Sequence, residues 1–239
     1  MGAARSNAPE WPIRVPAGHV TLDGDLANPE AARGVVLFAH GSGSSRFSPR
    51  NRYVARVLRE GGLATLLLDL LTREEEAIDV RSAQLRFDIR LLAERLVGAT
   101  DWLLQHPETR RLRVGYFGAS TGGGAALVAA GELPDVVGAV VSRGGRPDLA
   151  GPALARVRAP TLLIVGGQDS PVIAVNREAL ELLRVEKQLE IVPGATHLFE
   201  EPGALEDVAR LARAWFQRYL TPTNGRGPHP VAERAMRSP

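Results

Sequence analysis

From residue 34 to residue 192 the chain alternates between short, mostly apolar runs and longer stretches in which apolar residues recur every three or four positions. The short runs are Gly34–Ala39, 63–68, 112–117, 136–141, 161–165 and 189–192. They are too short for helices and have no polar face, so they predict strands buried on both sides. Segment 51–60 sets Val54, Val57 and Leu58 on one helical face and stops at Gly61 and Gly62. Segment 83–104 does the same with Leu85, Ile89, Leu92, Leu96 and Leu103, and Pro107 follows its end. Small residues over 119–130 predict a helix, a further helix is expected between 165 and 189, and Ala204–Leu220 turns Leu205, Val208, Leu211, Trp215 and Phe216 inward. Near the start, 20–26 alternates weakly ahead of a polar turn at 27–33, which predicts a strand and hairpin. Strands alternating with helices build an α/β fold, a mostly parallel sheet with helices on both faces. One domain over 1–220 accounts for this pattern, and 221–239, rich in Pro, Gly and Arg without periodicity, reads as a mobile tail.

Composition narrows the chemistry. With 44% apolar and 23% charged residues, the chain has the makeup of a folded globular protein. The pI of 9.5 suggests a polyanionic partner, yet the net charge is only +2 and no basic block occurs, so no nucleic-acid partner is expected. Lys187 is the only lysine, so arginine carries almost all the positive charge. The absence of cysteine removes disulfides, zinc-thiolate sites and thiol nucleophiles together. Residues 1–16 lack a signal-peptide core and no apolar run approaches the roughly 20 residues of a membrane span, which predicts a cytoplasmic protein with no membrane partner. The acidic run at Glu74, Glu75 and Glu76 has no nearby histidine, so it reads as a solvated loop, and no metal or other cofactor is expected.

The segment Gly118-Ala119-Ser120-Thr121-Gly122 is a G-x-S-x-G pattern placed between a strand and a helix. That context distinguishes a nucleophile elbow from a glycine-rich turn that merely packs or binds phosphate. The glycines permit a sharp turn, and the helix N-terminus offers free N–H groups to a developing negative charge. Serine needs a base and the base needs an acid. Of the five histidines, His197 follows the strand ending near Val192, at the sheet edge where Ser120 is expected. Asp169 follows the strand at 161–165 on the same edge, and Asp148 is the weaker competitor for the acid role. The oxyanion donors are expected to be the N–H groups of Thr121 and Ser42, the latter in the loop His40-Gly41-Ser42-Gly43, with His40 holding that loop in shape.

Over roughly 18–220 these motifs resemble the α/β-hydrolases, and among them the dienelactone-hydrolase-like group. The resemblance implies hydrolase chemistry on an acyl compound. It departs at one point, since dienelactone hydrolases proper use cysteine where this chain has Ser120. Ester hydrolysis through an acyl-enzyme is therefore the expected reaction, with a small-molecule acyl substrate as partner. Thioester, amide or carbon-carbon cleavage by the same triad is an alternative, as is a ligand-binding protein with little turnover. A nucleotide-binding module fits poorly, because the glycine-rich segment has no P-loop lysine. Activity should fall as pH drops through about 6.5, where an ordinary imidazole takes up a proton. The connection from Ser142 to Pro160 is too short for a cap domain, which predicts an open site without lipase-like interfacial activation. Arg143, Arg146, Arg46 and Arg50 all fall near the expected site, and Arg143, right at its strand end, is the preferred candidate for holding a substrate carboxylate.

Overall fold

A computed structural model of the chain describes residues 9–221. The tail expected at 221–239 lies outside the described residues except for Thr221. Eight strands make one sheet: β1 (Trp11–Ala17), β2 (Val20–Ala27), β3 (Gly34–Ala39), β4 (Ala64–Leu68), β5 (Arg113–Ala119), β6 (Val137–Arg143), β7 (Thr161–Gly166) and β8 (Lys187–Val192). Their order across the sheet is β1-β2-β4-β3-β5-β6-β7-β8. Pairing is parallel from β4 through β8, and only β1 and β2 run antiparallel to their neighbours.

The apolar runs form these central strands because both sheet faces are covered. Among the described residues six helices cover the sheet, five between strands and α6 after the last: α1 (Pro49–Glu60), α2 (Arg73–Ser82), α3 (Ile89–Gln105), α4 (Thr121–Glu132), α5 (Ser170–Leu182) and α6 (Ala204–Leu220). Leu92, Leu96 and Leu103 of α3 and the alanines of α4 fill the core on one face, with Ala179 of α5 at its margin. Val54 and Leu58 of α1 and Val208, Trp215 and Phe216 of α6 fill the core on the other. Leu205 and Leu211 lie at the rim of that second core, only partly buried.

The run at 189–192 is not buried on both sides, because β8 lies at the edge of the sheet and only its Val192 is buried. Three further expectations are corrected. The hairpin does not follow the strand at 20–26. It precedes it, with β1 folding onto β2 through Gly18 at φ 65°. β1 contains Pro12 and Pro16, which a sheet tolerates at its edge, where β1 lies. The helix expected at 83–104 begins only at Ile89, because the Asp88 carboxylate accepts the Leu91 N–H at 3.0 Å and caps it there. Leu85 belongs to a separate 3-10 turn, Leu85–Phe87. Finally, Glu74, Glu75 and Glu76 are not a loop but the first turn of α2, where negative charge suits the helix dipole. Thr72 and Glu75 form a reciprocal capping box, and the same Glu75 reaches Arg95 at 2.6 Å.

Parallel register aligns the strand ends that matter. Ala39 sits opposite Gly118, Ala119 opposite Arg143, Arg143 opposite Ile164, and Gly166 opposite Val192. The loops after β3, β5, β6, β7 and β8 therefore open along one edge. The connection after β6 runs through short 3-10 turns within Pro147–Arg156, interrupted at Gly151, and packs against α4 and α5. No large cap domain is inserted.

Candidate active site

Ser120 stands between β5 and α4 with φ 51° and ψ −120°, in a region a side-chain-bearing residue enters only under strain. The two flanking glycines make this turn possible. A Cβ on Gly118 would lie 2.5 Å from the Gly122 carbonyl oxygen, and one on Gly122 would lie 2.3 Å from the Ala39 carbonyl oxygen. The Ser120 backbone is held from the neighbouring loop. Its N–H donates to the Arg143 carbonyl at 3.2 Å, and its carbonyl accepts the N–H groups of Gly123 at 2.9 Å and Arg146 at 3.1 Å. On the other side Gly41 comes so close that a Cβ there would be 3.1 Å from the Ser120 Cβ.

His197 and Asp169 meet: Nδ1 and Oδ2 are 2.6 Å apart, with the carboxylate largely buried and the imidazole about one-third exposed. Their loops are tied together independently of the side chains. Gly167 N–H donates to the Val192 carbonyl at 2.8 Å and Gln168 N–H to the Ala195 carbonyl at 2.9 Å. His197 packs on Gly144, where a Cβ would lie 3.5 Å from its Nδ1 and Cε1. Segment 143–146 thus holds the Ser120 backbone and also supports the His197 ring. Asn176 of α5, fully buried, steadies that segment by donating to the Gly145 carbonyl at 3.0 Å. Nothing in the sequence pattern singles Asn176 out.

The other candidates are engaged elsewhere. Asp148 makes a two-pronged pair with Arg146, at 2.8 and 2.6 Å. His106 lies on the Trp102 ring, His19 is in the β1–β2 turn, and His229 is outside the described residues. Arg46 is paired with Asp69 and Asp25, and Arg50 with Glu200. Arg143 has no such partner among the described residues.

The N–H of Thr121, at the first position of α4, has no intrahelical acceptor and is free to serve as a donor beside Ser120. The Ser42 N–H, expected to point at the oxyanion, instead donates to Thr121 Oγ1 at 2.9 Å. The Thr121 hydroxyl thereby fastens the glycine loop to the elbow. A small cavity of about 40 Å³ opens beside this contact, lined by Gly41–Ser45, Thr121, Asp69 and Arg86. Arg86 is held there by the buried carboxylate of Asp79 at 2.5 Å, a pair that periodicity does not reveal.

His40 bridges the loop and the end of β4. Its Nδ1 donates to the Gly41 carbonyl at 2.9 Å, and its Nε2 accepts the Leu70 N–H at 3.1 Å. That arrangement needs a neutral ring, and desolvation lowers its proton affinity. The unfolded chain takes up this proton first, so His40 costs nothing above its ordinary value and destabilises the fold as pH falls below about 6.5. Urea unfolding at stepped pH is expected to show a loss of up to about 1.4 kcal/mol per pH unit in that window, which His40→Gln removes. An identical acid slope in the variant would refute it.

No helix among the described residues is long and apolar enough to cross a membrane, and none of their acidic and histidine side chains gather in a group able to hold a metal ion. A family model described as the dienelactone hydrolase family matches residues 22–220. The crystal structure of dienelactone hydrolase from Anabaena variabilis is similar at 67% identity, covering 89% of this chain and 99% of that one, with a TM-score of 0.88. Carboxyl esterase 2 from Tuber melanosporum, 19% identical with a TM-score of 0.70 over 89% of this chain and 88% of its own, shares the fold. A curated Mycobacterium tuberculosis protein named a putative phosphoribosyl transferase is 59% identical over 208 residues. The match takes in 87% of this chain, and the chain spans about half that relative's length, 46%. With its fold, its elbow and a family match running from β2 to the end of α6, this chain belongs to the dienelactone hydrolase family.

Proposed function

We propose that the chain is a serine hydrolase that cleaves small carboxylic esters through an acyl-enzyme on Ser120. The observation that carries this reading is the 2.6 Å pair of His197 and Asp169 at the same sheet edge as the strained Ser120 turn, with segment 143–146 touching both. In the reaction, Ser120 Oγ attacks the acyl carbon while His197 Nε2 takes its proton. Asp169 keeps the other ring nitrogen protonated and steadies the imidazolium that forms. The tetrahedral oxyanion is met by the Thr121 N–H, and by the Ser42 N–H once Thr121 Oγ1 yields it. His197 returns the proton to the departing alcohol, and water then releases the acid by the same steps in reverse order.

The transferase name belongs to relatives of which this chain spans less than half. We therefore take hydrolysis as the activity of this chain. A fluorophosphonate probe is expected to label the protein at Ser120 alone, with labelling lost in Ser120→Ala and p-nitrophenyl acetate hydrolysed only by the unmodified enzyme. Absence of labelling in a folded sample would defeat the assignment. Labelling without ester turnover would replace esters by thioesters or amides as substrate.

A further inference from the structure

Among the described residues seven large apolar side chains are exposed, and six of them belong to the connections that open around Ser120: Phe47, Ile78, Val80, Phe87, Leu149 and Leu198. Phe47 precedes α1, Phe87 precedes α3 and Leu198 precedes α6, so each stands just ahead of a helix that runs back across the sheet. Leu149 faces the first turn of α4, where a Cβ on Gly124 would lie 3.3 Å from its own Cβ. Ile78 and Val80 flank the buried Asp79 of α2. Leu182, the seventh, ends α5 on the way back to the start of β8 and so lies at the opposite edge. A single exposed leucine is ordinary on a protein surface, but a concentration of apolar side chains at one edge marks a place where something apolar binds.

Three of these residues adjoin the catalytic set through their neighbours in the chain. Leu198 directly follows His197. Phe47 shares its loop with Gly41, whose Cβ would lie 3.1 Å from the Ser120 Cβ. Arg86, beside Phe87, reaches within 3.8 Å of where a Cβ on Gly43 would stand. Phe47 is also held in place. The Arg46 guanidinium lies over its ring, 4.2 Å from the centroid. Arg46 is largely buried and fixed in turn: its side chain pairs with Asp69 and Asp25, and its backbone N–H donates to Asp69 Oδ1 at 2.7 Å. A cation thus takes one face of the ring and sets its orientation, while Phe47 stays 57% exposed. The fold forgoes the burial of a phenyl ring here, which is the larger stabilising effect.

We propose that the ester cleaved at Ser120 carries an aromatic ring, which stacks on the free face of Phe47 while Phe87, Leu149 and Leu198 border it. The proposal rests on the reading of Ser120 as nucleophile given above. A planar face held in one orientation matches a planar ring, and offset stacking adds to the area buried. A flexible alkyl chain makes no use of the orientation that Arg46 imposes. A second protein or a lipid layer seated on this rim would cover Ser120, so the substrate is the occupant compatible with turnover.

The test compares esters that differ by a phenyl group but leave the reacting bond similar: benzyl acetate with ethyl acetate, and methyl 3-phenylpropionate with methyl propionate. In a pH-stat assay the ring-bearing member of at least one pair is expected to have a KM about tenfold lower, and the pair that shows it tells whether the ring belongs to the alcohol or the acyl portion. Phe47→Ser should raise that KM about fivefold and leave the ring-free ester within about twofold, Phe47→Tyr should keep the preference, and Phe47→Leu should keep part of it. Leu182→Ser is the control and should change neither KM. All these side chains are exposed, so the variants are expected to fold. Saturation-transfer NMR on Ser120→Ala, which leaves the ester intact, should show the benzyl protons of benzyl acetate in contact with the protein, and adding Phe47→Ser should remove that contact. Equal KM within both pairs, or a ring preference that survives Phe47→Ser, overturns the proposal. So does a dimer, or binding to phosphatidylcholine vesicles, that Phe47→Ser abolishes without moving any KM, since the rim then serves a second copy or a lipid surface. Ester turnover without ring preference defeats the stacking site and leaves the nucleophile reading standing. Ring contact that depends on Phe47, in a protein that turns over no ester, defeats the nucleophile reading and leaves the stacking site standing.

Discussion

Replacing Ser120 with alanine is expected to lower kcat for p-nitrophenyl acetate by about 10⁶-fold, the loss seen when a triad nucleophile is removed from a serine hydrolase. KM should change little, because the variant lacks only the hydroxyl. The fold should survive, since alanine at φ 51° meets the same steric constraint as serine and no hydrogen bond of the Ser120 side chain supports the turn. Ser120→Gly separates strain from chemistry. It should be as inactive as the alanine variant and more stable by about 1 kcal/mol, because glycine adopts that backbone freely. Stopped assays on purified variants and urea titrations measure the two quantities. A Ser120→Ala protein that kept a tenth of the activity would require another nucleophile.

Asp169→Asn comes next in magnitude, with kcat expected to fall about 10⁴-fold. In the proposed mechanism the carboxylate accepts a hydrogen from His197 Nδ1, so that the neutral ring presents Nε2 as the base. An amide at the same place can instead donate to Nδ1 and favour the tautomer that cannot take the Ser120 proton. The two side chains have nearly the same volume, so packing and KM should be preserved. Asp148→Asn is the matched control and should leave kcat within about twofold, because Asp148 is bound to Arg146 and does not reach His197. If Asp148→Asn were the damaging change, the acid would have been assigned to the wrong strand end.

The parts of this fold that could be read from the sequence are those in which one local rule dominates. Gly34–Ala39 and the segment 162–166 are apolar throughout because both sheet faces are covered, and runs this short between turn signals mark buried strands. Ser120, Asp169 and His197 could be placed because each follows such a strand, and a parallel sheet sends those ends to one edge. β1 was hidden because Pro12 and Pro16, which usually signal loops, sit at its outward positions and are tolerated here only at an edge. α2 was hidden by its acidic first turn, although the Thr72-x-x-Glu75 spacing that caps it was present in the sequence. The Ser42 to Thr121 contact and the lack of a counter-ion at Arg143 could not be read, because each depends on what lies across space from the residue.

The way the loops converge has a consequence for how the molecule reaches its working state. Ser42 meets Thr121 across 79 positions of chain, and His197 meets Asp169 across 28. Such non-local pairings are slow to form, since chain ends must be brought together before any contact rewards the closure. On the proposed assignment no fragment ending before β8 contains all three of Ser120, Asp169 and His197, so a nascent chain is expected to be chemically silent even when most of its sheet is formed. Recovered turnover after dilution from denaturant therefore marks the end of folding, later than the burial of the core that precedes it.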